Sequence, residues 1–206
     1  MSPEALTGVP VSRSEPLTDR YQSVRAVMPE LCRHLEPEDY VIQTMPDVSP
    51  VKWHLAHVTW FFEEFILKPF SRSYREFNEN YHYLFNSYYV TAGQMHPRPK
   101  RGLLSRPLVR EIMNYREHVD QAMLRLLDER GSDPRVIQRL SLGINHEQQH
   151  QELLLTDIKH VFSNNPLPIA VNPSLRERRT EAAMEHRFIS GSEGIHEIGS
   201  QSKGFC

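Results

Sequence analysis

The sequence is poor in cysteine, in long apolar runs and in excess charge of either sign. Cys32 and Cys206 are the two cysteines among 206 residues, too few for a disulfide framework and typical of a reducing compartment. The best apolar run, 58–67, contains two glutamates and is shorter than the roughly 18 residues that a membrane span needs. The first residues also lack the apolar region of a signal peptide. The protein is therefore expected to be cytoplasmic, with no membrane partner.

The formal net charge of −2 gives no electrostatic support for a nucleic-acid partner. The one local concentration of positive charge has a size that suits small acidic groups, and it consists of Arg98, Lys100, Arg101, Arg106 and Arg110. Small-molecule substrates are therefore the expected partners. A homodimer is left open by the sequence.

Apolar periodicity predicts four amphipathic helices. Caps, prolines and a glycine mark their expected boundaries. The first helix runs from Leu17 to Leu35 with a kink at Pro29, and the second from Ser49-Pro50 to about Leu67, with Pro69 as the stop. The third runs from Ser105-Arg106-Pro107 to Gly131, and the fourth from Asp133-Pro134 to Ser163. The segment between Ser71 and Arg106 has no sustained helical period and is rich in aromatic residues. Its length favours a functional connection over an ordinary loop.

These elements predict an all-α protein: a four-helix bundle with a long aromatic crossover between its second and third helices, followed by a short non-helical tail. Metal and cofactor sites of such bundles lie between facing helices. The expected domain organisation is a mobile tail at 1–14, a metal-binding bundle at 15–170, and at 171–206 a linker and the first residues of a second, truncated domain.

The fourth predicted helix carries the strongest chemical signal, because His146 and His150 are four residues apart. Side chains at this spacing lie on one face of a helix, so two imidazoles can bind a single metal ion. Asp157 and His160 continue the same face, with Leu142, Gln149 and Leu153. The apolar cover of the remaining surface predicts that this stripe faces inward. The alternative is that both histidines are core residues bonded to the backbone.

A third ligand is available from the second predicted helix, where either His54 or His57 could face the pair. Periodicity does not choose between them. Three histidines leave open coordination positions, which suit catalytic zinc or non-haem iron. The string His146-Glu147-Gln-Gln-His150 also fits the zincin pattern, in which Glu147 would be a general base. No strand precedes the helix to align a peptide, so the protease interpretation is disfavoured.

Several separated motifs, WHLAH, NSYY, HPRPKRG and HEQQHQELLLTDIKH, resemble the N-terminal DinB-like domain of ergothioneine-type sulfoxide synthases. In that family a DinB-like four-helix bundle precedes a formylglycine-generating-enzyme-like domain. The resemblance covers roughly residues 17–170, and the tail looks like the start of the second domain. It implies a non-haem iron oxidoreductase that uses oxygen to join a thiol, cysteine or γ-glutamylcysteine, to Nα-trimethylhistidine.

The resemblance also implies roles for individual residues. His57, His146 and His150 match the Fe(II) ligands, and zinc or nickel could replace iron. Gln149 matches a residue that binds the histidine substrate.

Two further pairs complete the implied site. Arg98 and Arg101 match arginines that hold the thiol's carboxylate, and the alternative is a solvated face. Tyr88 and Tyr89 look like a catalytic pair, and the alternative is simple packing.

The resemblance places further pocket residues in the second domain, so this chain is expected to be weakly active or inactive alone. Two alternatives use the same histidines without the sulfoxide chemistry. One is a zinc- or nickel-dependent DinB-like thiol transferase or hydrolase. The other is a non-enzymatic metal-binding bundle.

Overall fold

The computed structural model describes residues 16–87, 93–174, 187–191 and 193–198, and these residues are helical or irregular, without a strand. Short 3₁₀ helices cover Asp39–Val41 and Arg98–Leu103. The α-helices are α1 (Leu17–Leu31), α2 (Val51–Phe62), α3 (Lys68–Phe70), α4 (Tyr81–Phe85), α5 (Val109–Arg130) and α6 (Pro134–Ser163). The all-α class is confirmed for this part of the chain. None of its helices is both long and apolar enough to cross a membrane.

Helix α1 ends earlier than its apolar stripe predicts, at Leu31, two residues beyond Pro29. Proline has no N–H, so the carbonyl four residues before it loses its helical partner. That carbonyl belongs to Arg25, and Arg116 of α5 donates to it from Nη2 at 3.0 Å. The proline is therefore accommodated by a buried side chain from another helix, and the helix stops one turn before Leu35.

Helix α2 is the central element, because all 12 of its residues are buried. Its first helical residue is Val51 and its N-cap is Pro50 without a side-chain cap bond, so the prediction of Ser49 as the N-cap is wrong. The predicted stop at Pro69 is also misplaced. A π-helical segment, Glu63–Leu67, continues α2 and is followed directly by α3, which includes Pro69.

The end of α5 and both ends of α6 follow the predicted signals closely. The predicted start of α5 at Ser105-Arg106-Pro107 is wrong, because the helix begins at Val109 with Leu108 as its N-cap. Gly131 is the C-cap of α5. Asp133 caps α6 by accepting a bond from the Arg135 backbone N–H at 2.9 Å, with Pro134 as the first helical residue. The helix then runs to Ser163, where the predicted Ser-Asn-Asn-Pro stop lies.

Helices α1, α2, α5 and α6 are the longest, and the contacts among them centre on α2 and α6. Helix α2 contacts both α5 and α6, α1 contacts α6, and the short α4 packs on α2. The compact unit formed by residues 1–171 contains this core. Residues 172–206 form a separate unit, in which the described residues have neither helix nor strand and Phe188 and Ile195 are fully exposed.

Candidate metal centre

Three histidine side chains converge where α2 faces α6. His57 comes from α2, and His146 and His150 come from successive turns of α6. One ring nitrogen of each lies within 4.8 Å of the others. The His57 ring centroid is 5.0 Å from that of His146 and 4.7 Å from that of His150, and the two α6 rings are 4.7 Å apart. This set could hold one metal ion.

Hydrogen bonding leaves one nitrogen of His57 available for an ion. Its Nδ1 lies 2.6 Å from the carbonyl oxygen of Phe85, the last residue of α4. A carbonyl only accepts, so Nδ1 carries the proton and Nε2 keeps its lone pair. Trp53 stacks on the other side, with ring centroids 4.5 Å apart and planes 12° from parallel. Backbone and aromatic contacts together fix the ring.

His146 has a buried Nδ1 that finds no hydrogen-bond partner among the described residues. A buried polar atom without a partner is unusual and requires an explanation, and a bound ion at this cluster would provide one. Its ring also packs on Phe61, with centroids 4.6 Å apart. The donor set and this orphaned nitrogen both fit a metal.

Burial holds the cluster in the neutral form that metal binding requires. It lowers the pKa of His146 to about 4. The pKa of His57 is lowered well below its usual value, first by burial and then by the nearby His146. Burial, followed by the neighbouring His57, likewise depresses the pKa of His150. Three neutral imidazoles are therefore present at neutral pH.

The histidines line a cavity of about 400 Å³ whose wall also includes Arg98, Arg101 and Gln149. Arg101 is buried, places its Cζ 3.3 Å from the centroid of the Trp53 ring, and donates to Ser49 Oγ at 2.9 Å. Trp53 thus lies between a ligand imidazole and a guanidinium. The cavity combines a metal-ligand set with fixed positive charge.

His54, the alternative third ligand, lies beside the triad. Its Nδ1 is 2.9 Å from His150 Nδ1, and its Nε2 is 2.9 Å from Asp157 Oδ2. The same oxygen accepts from the Ser49 backbone N–H at 2.8 Å. Burial lowers the pKa of His54, and the bond to Asp157 opposes this shift. His54 therefore contacts His150, one of the three candidate metal ligands, and His57 is the third member of the triad.

Glu147 cannot act as the base of a zincin in this structure, because its carboxylate is bound by two arginines and points about 100° round α6 from His146. It is fully buried and accepts from Arg25 Nη1 at 2.9 Å and from Arg116 Nη2 at 3.2 Å. A zincin also needs a further metal ligand downstream of the motif, and Glu152, one candidate, is exposed. His160 contacts Thr44.

The histidine face of α6 is partly open, which corrects the prediction that the whole stripe faces inward. His150 is 8% exposed, whereas Leu142 and Leu153 are 40% and 41% exposed and Gln149 is also exposed. The stripe borders a cavity open to solvent, so its flanking residues remain accessible.

Sequence reasoning missed Ser49 and the carbonyl of Phe85. Ser49 and Trp53 precede His57 at helical spacing, a signal that could have placed Ser49 near the site. The role of the Phe85 carbonyl has no side-chain signal. The predicted catalytic residues Tyr88 and Tyr89 lie outside the described residues.

A family model described as the DinB superfamily matches residues 20–154. The chain belongs to the DinB superfamily. The match spans most of α1 through the two α6 histidines and includes all three members of the triad. The DinB-like domain therefore contains a histidine triad that could bind a metal. No curated protein matches the chain.

Proposed function

We propose that this chain is the metal-binding domain of an oxygen-dependent, non-haem iron(II) sulfoxide synthase of ergothioneine biosynthesis. The observation that carries the proposal is one cavity in which the histidine triad, Arg98, Arg101 and Gln149 occur together. We also propose that the four long helices form a DinB-type four-helix bundle, with residues 71–106 as its aromatic crossover. The packing of α2 on α5 and α6 supports this arrangement.

The proposed reaction joins the thiol sulfur to C2 of the trimethylhistidine imidazole. The S–H and C2–H bonds break, a C–S bond forms, one oxygen atom of dioxygen remains on sulfur and the other leaves as water. The substrates lose four electrons in total, which dioxygen accepts. Iron, when bound by His57, His146 and His150, would supply the one-electron and oxygen chemistry.

The residues of the chain would bind and orient the substrates. A guanidinium fork offers paired donors to a carboxylate, so Arg98 and Arg101 would hold the carboxylate of cysteine or γ-glutamylcysteine. Gln149, exposed on the cavity wall, would hydrogen-bond the trimethylhistidine. We assign Tyr88 or Tyr89 the delivery of a proton to the oxygen atom that leaves as water.

Substrate binding tests the proposal without requiring full turnover. The chain is loaded anaerobically with iron(II) and titrated by calorimetry with Nα-trimethylhistidine, then with cysteine or γ-glutamylcysteine. Binding of trimethylhistidine should require metal and should weaken about tenfold in Gln149→Leu, the loss of one hydrogen bond. Gln148→Leu, one residue away and outside the cavity lining, is the matched control.

The thiol arm uses Arg98→Leu, with the exposed Arg110→Leu as control. Cysteine binding should weaken in the first variant, and trimethylhistidine binding should change in neither. Binding is the readout, because the chain is expected to form little or no sulfoxide alone. Equal binding with and without metal, or no effect of either cavity variant, would contradict the proposal.

A zinc- or nickel-dependent thiol transferase or hydrolase is the second candidate, because neutral histidines with open coordination positions also suit a metal-bound water. It predicts thiol chemistry with zinc under anaerobic conditions and no consumption of oxygen. The iron proposal predicts oxygen consumption only when both substrates are present.

A further inference from the structure

A chain of two hydrogen bonds connects one metal-ligand candidate to a carboxylate. His150 Nδ1 lies 2.9 Å from His54 Nδ1, and His54 Nε2 lies 2.9 Å from Asp157 Oδ2. His54 is 2% exposed, so water cannot readily replace these contacts. These bonds join His150 on α6 to His54 on α2, and His54 to Asp157 on α6, and all three residues line the cavity.

With an ion on Nε2 of His150, hydrogen bonding allows one arrangement of protons among His150, His54 and Asp157. The Asp157 carboxylate accepts, so His54 Nε2 carries a proton and donates it. A nitrogen of His150 that binds an ion must carry no proton, so the proton of His150 lies on Nδ1 when Nε2 is the binding atom, and His54 Nδ1 accepts it. The tautomer of this ligand is set by a residue that is not itself in the triad.

Asp157 is held in place from two sides. It lies on α6, and its Oδ2 also accepts from the Ser49 backbone N–H at 2.8 Å, just before α2 begins. The Ser49 hydroxyl accepts from Arg101 at 2.9 Å. The carboxylate is thus part of a buried network that reaches an arginine on the cavity wall.

We propose that His54 and Asp157 are positioning residues for the metal ligand His150. Their hydrogen bonds select its Nε2 for the ion, fix the orientation of its ring and make the imidazole a stronger donor. This inference rests on the proposed metal site. It adds that His54, the alternative third ligand, does not bind the ion itself but acts through its hydrogen bond to His150.

The inference makes a measurable prediction for cobalt(II), a spectroscopic probe of the site. Competition with a chromogenic chelator should show a loss of affinity of about 10–100-fold for Asp157→Ala and His54→Leu, as is usual when such supporting bonds are removed. The cobalt absorption spectrum should keep the band pattern of the wild type, because the ligands themselves are unchanged.

Conservative variants should recover part of the affinity. Asp157→Asn keeps an oxygen that can accept from both His54 and Ser49. His54→Asn places an amide oxygen near the position of Nδ1, where it can accept from His150. A residue needed only for packing would show no such rescue. His160→Ala, on the same helix but bonded to Thr44, is the control and should bind cobalt as the wild type does.

The outcomes separate the two proposals. Unchanged affinity in both disruptive variants, with tight binding by the wild type, would overturn the positioning role alone. A loss as large as that of His57→Ala, with an altered cobalt spectrum in His54→Leu, would make His54 a ligand and also overturn it. No cobalt binding by the wild type would overturn the proposed function itself. Thermal unfolding of each metal-free variant shows whether a loss of affinity is only a loss of folding. If His54→Leu does not fold, Asp157→Ala and Asp157→Asn still test the positioning role.

Discussion

Removal of the Glu147 carboxylate should destabilise the protein strongly while leaving the cavity side chains in place. Glu147 is fully buried and pairs with Arg25 at 2.9 Å and Arg116 at 3.2 Å. Glu147→Ala leaves both buried guanidinium groups without this counter-charge. Burial, and then the adjacent Arg25, already lower the pKa of Arg116, so loss of the carboxylate would leave a buried positive charge with little compensation.

The expected loss of unfolding free energy is about 3–5 kcal/mol, the usual result of removing one partner of a buried ion pair. Arg25 keeps Asp120 at 2.7 Å and Thr59 at 3.2 Å. Arg116 keeps the Arg25 carbonyl at 3.0 Å. These remaining bonds limit the loss. It is still a large part of the roughly 5–15 kcal/mol by which domains are stable.

Urea unfolding of the metal-free protein, followed by circular dichroism, measures this loss. The control is Glu152→Ala, an exposed glutamate on the same helix, which should change stability by less than about 0.5 kcal/mol. A loss below about 1 kcal/mol for Glu147→Ala, together with the disappearance of a metal-dependent hydrolytic activity, would refute the structural role and revive the general-base interpretation.

Three further predictions address the core and its charge state. Gly143→Ala should lower the free energy of unfolding by about 1–3 kcal/mol, because a Cβ there would lie 2.5 Å from the Phe62 ring. An unchanged midpoint of urea unfolding would contradict this packing. Tyr115→Phe should cost about 1.5–3 kcal/mol by the same assay, since its hydroxyl donates at 2.5 Å to the buried Glu63 carboxylate, and a neutral effect would mean that the bond contributes little. Metal-free protein should lose stability as the pH falls below about 6.5, by up to about 1.4 kcal/mol per pH unit for each histidine involved. The cavity histidines have lowered pKa values when folded, so the unfolded chain binds more protons in this range, and a flat profile between pH 7 and 5 would contradict the assignment.

The sequence predicted the helices best where local chemistry determines a boundary. The cap at Asp133 and the glycine at 131 act through neighbouring backbone groups, so no tertiary information was needed. How α1 accommodates Pro29 depended on a distant residue, because Arg116 donates to the Arg25 carbonyl that the proline leaves without a helical partner. The π-helical segment at Glu63–Leu67 likewise had no periodic signal.

The site was predictable in its ligand types but not in its supporting bonds. The spacing of His146 and His150 follows directly from helical geometry. Periodicity could not choose between His54 and His57, although the resemblance implied His57, because the crossing of α2 over α6 decides which ring meets the pair. The Phe85 carbonyl that orients His57 comes from a segment without a predicted helix. Contacts of this kind are tertiary and leave no local pattern.

The most direct test of the account is a metal titration of the wild type and of His57→Ala, His146→Ala and His150→Ala. Iron(II) or cobalt(II) is added anaerobically, and bound metal is counted by mass spectrometry of the folded protein. The account predicts one ion per chain for the wild type and loss of tight binding in each variant, with helical content retained. Tight binding of one ion by all three variants would contradict the triad and every function built on it.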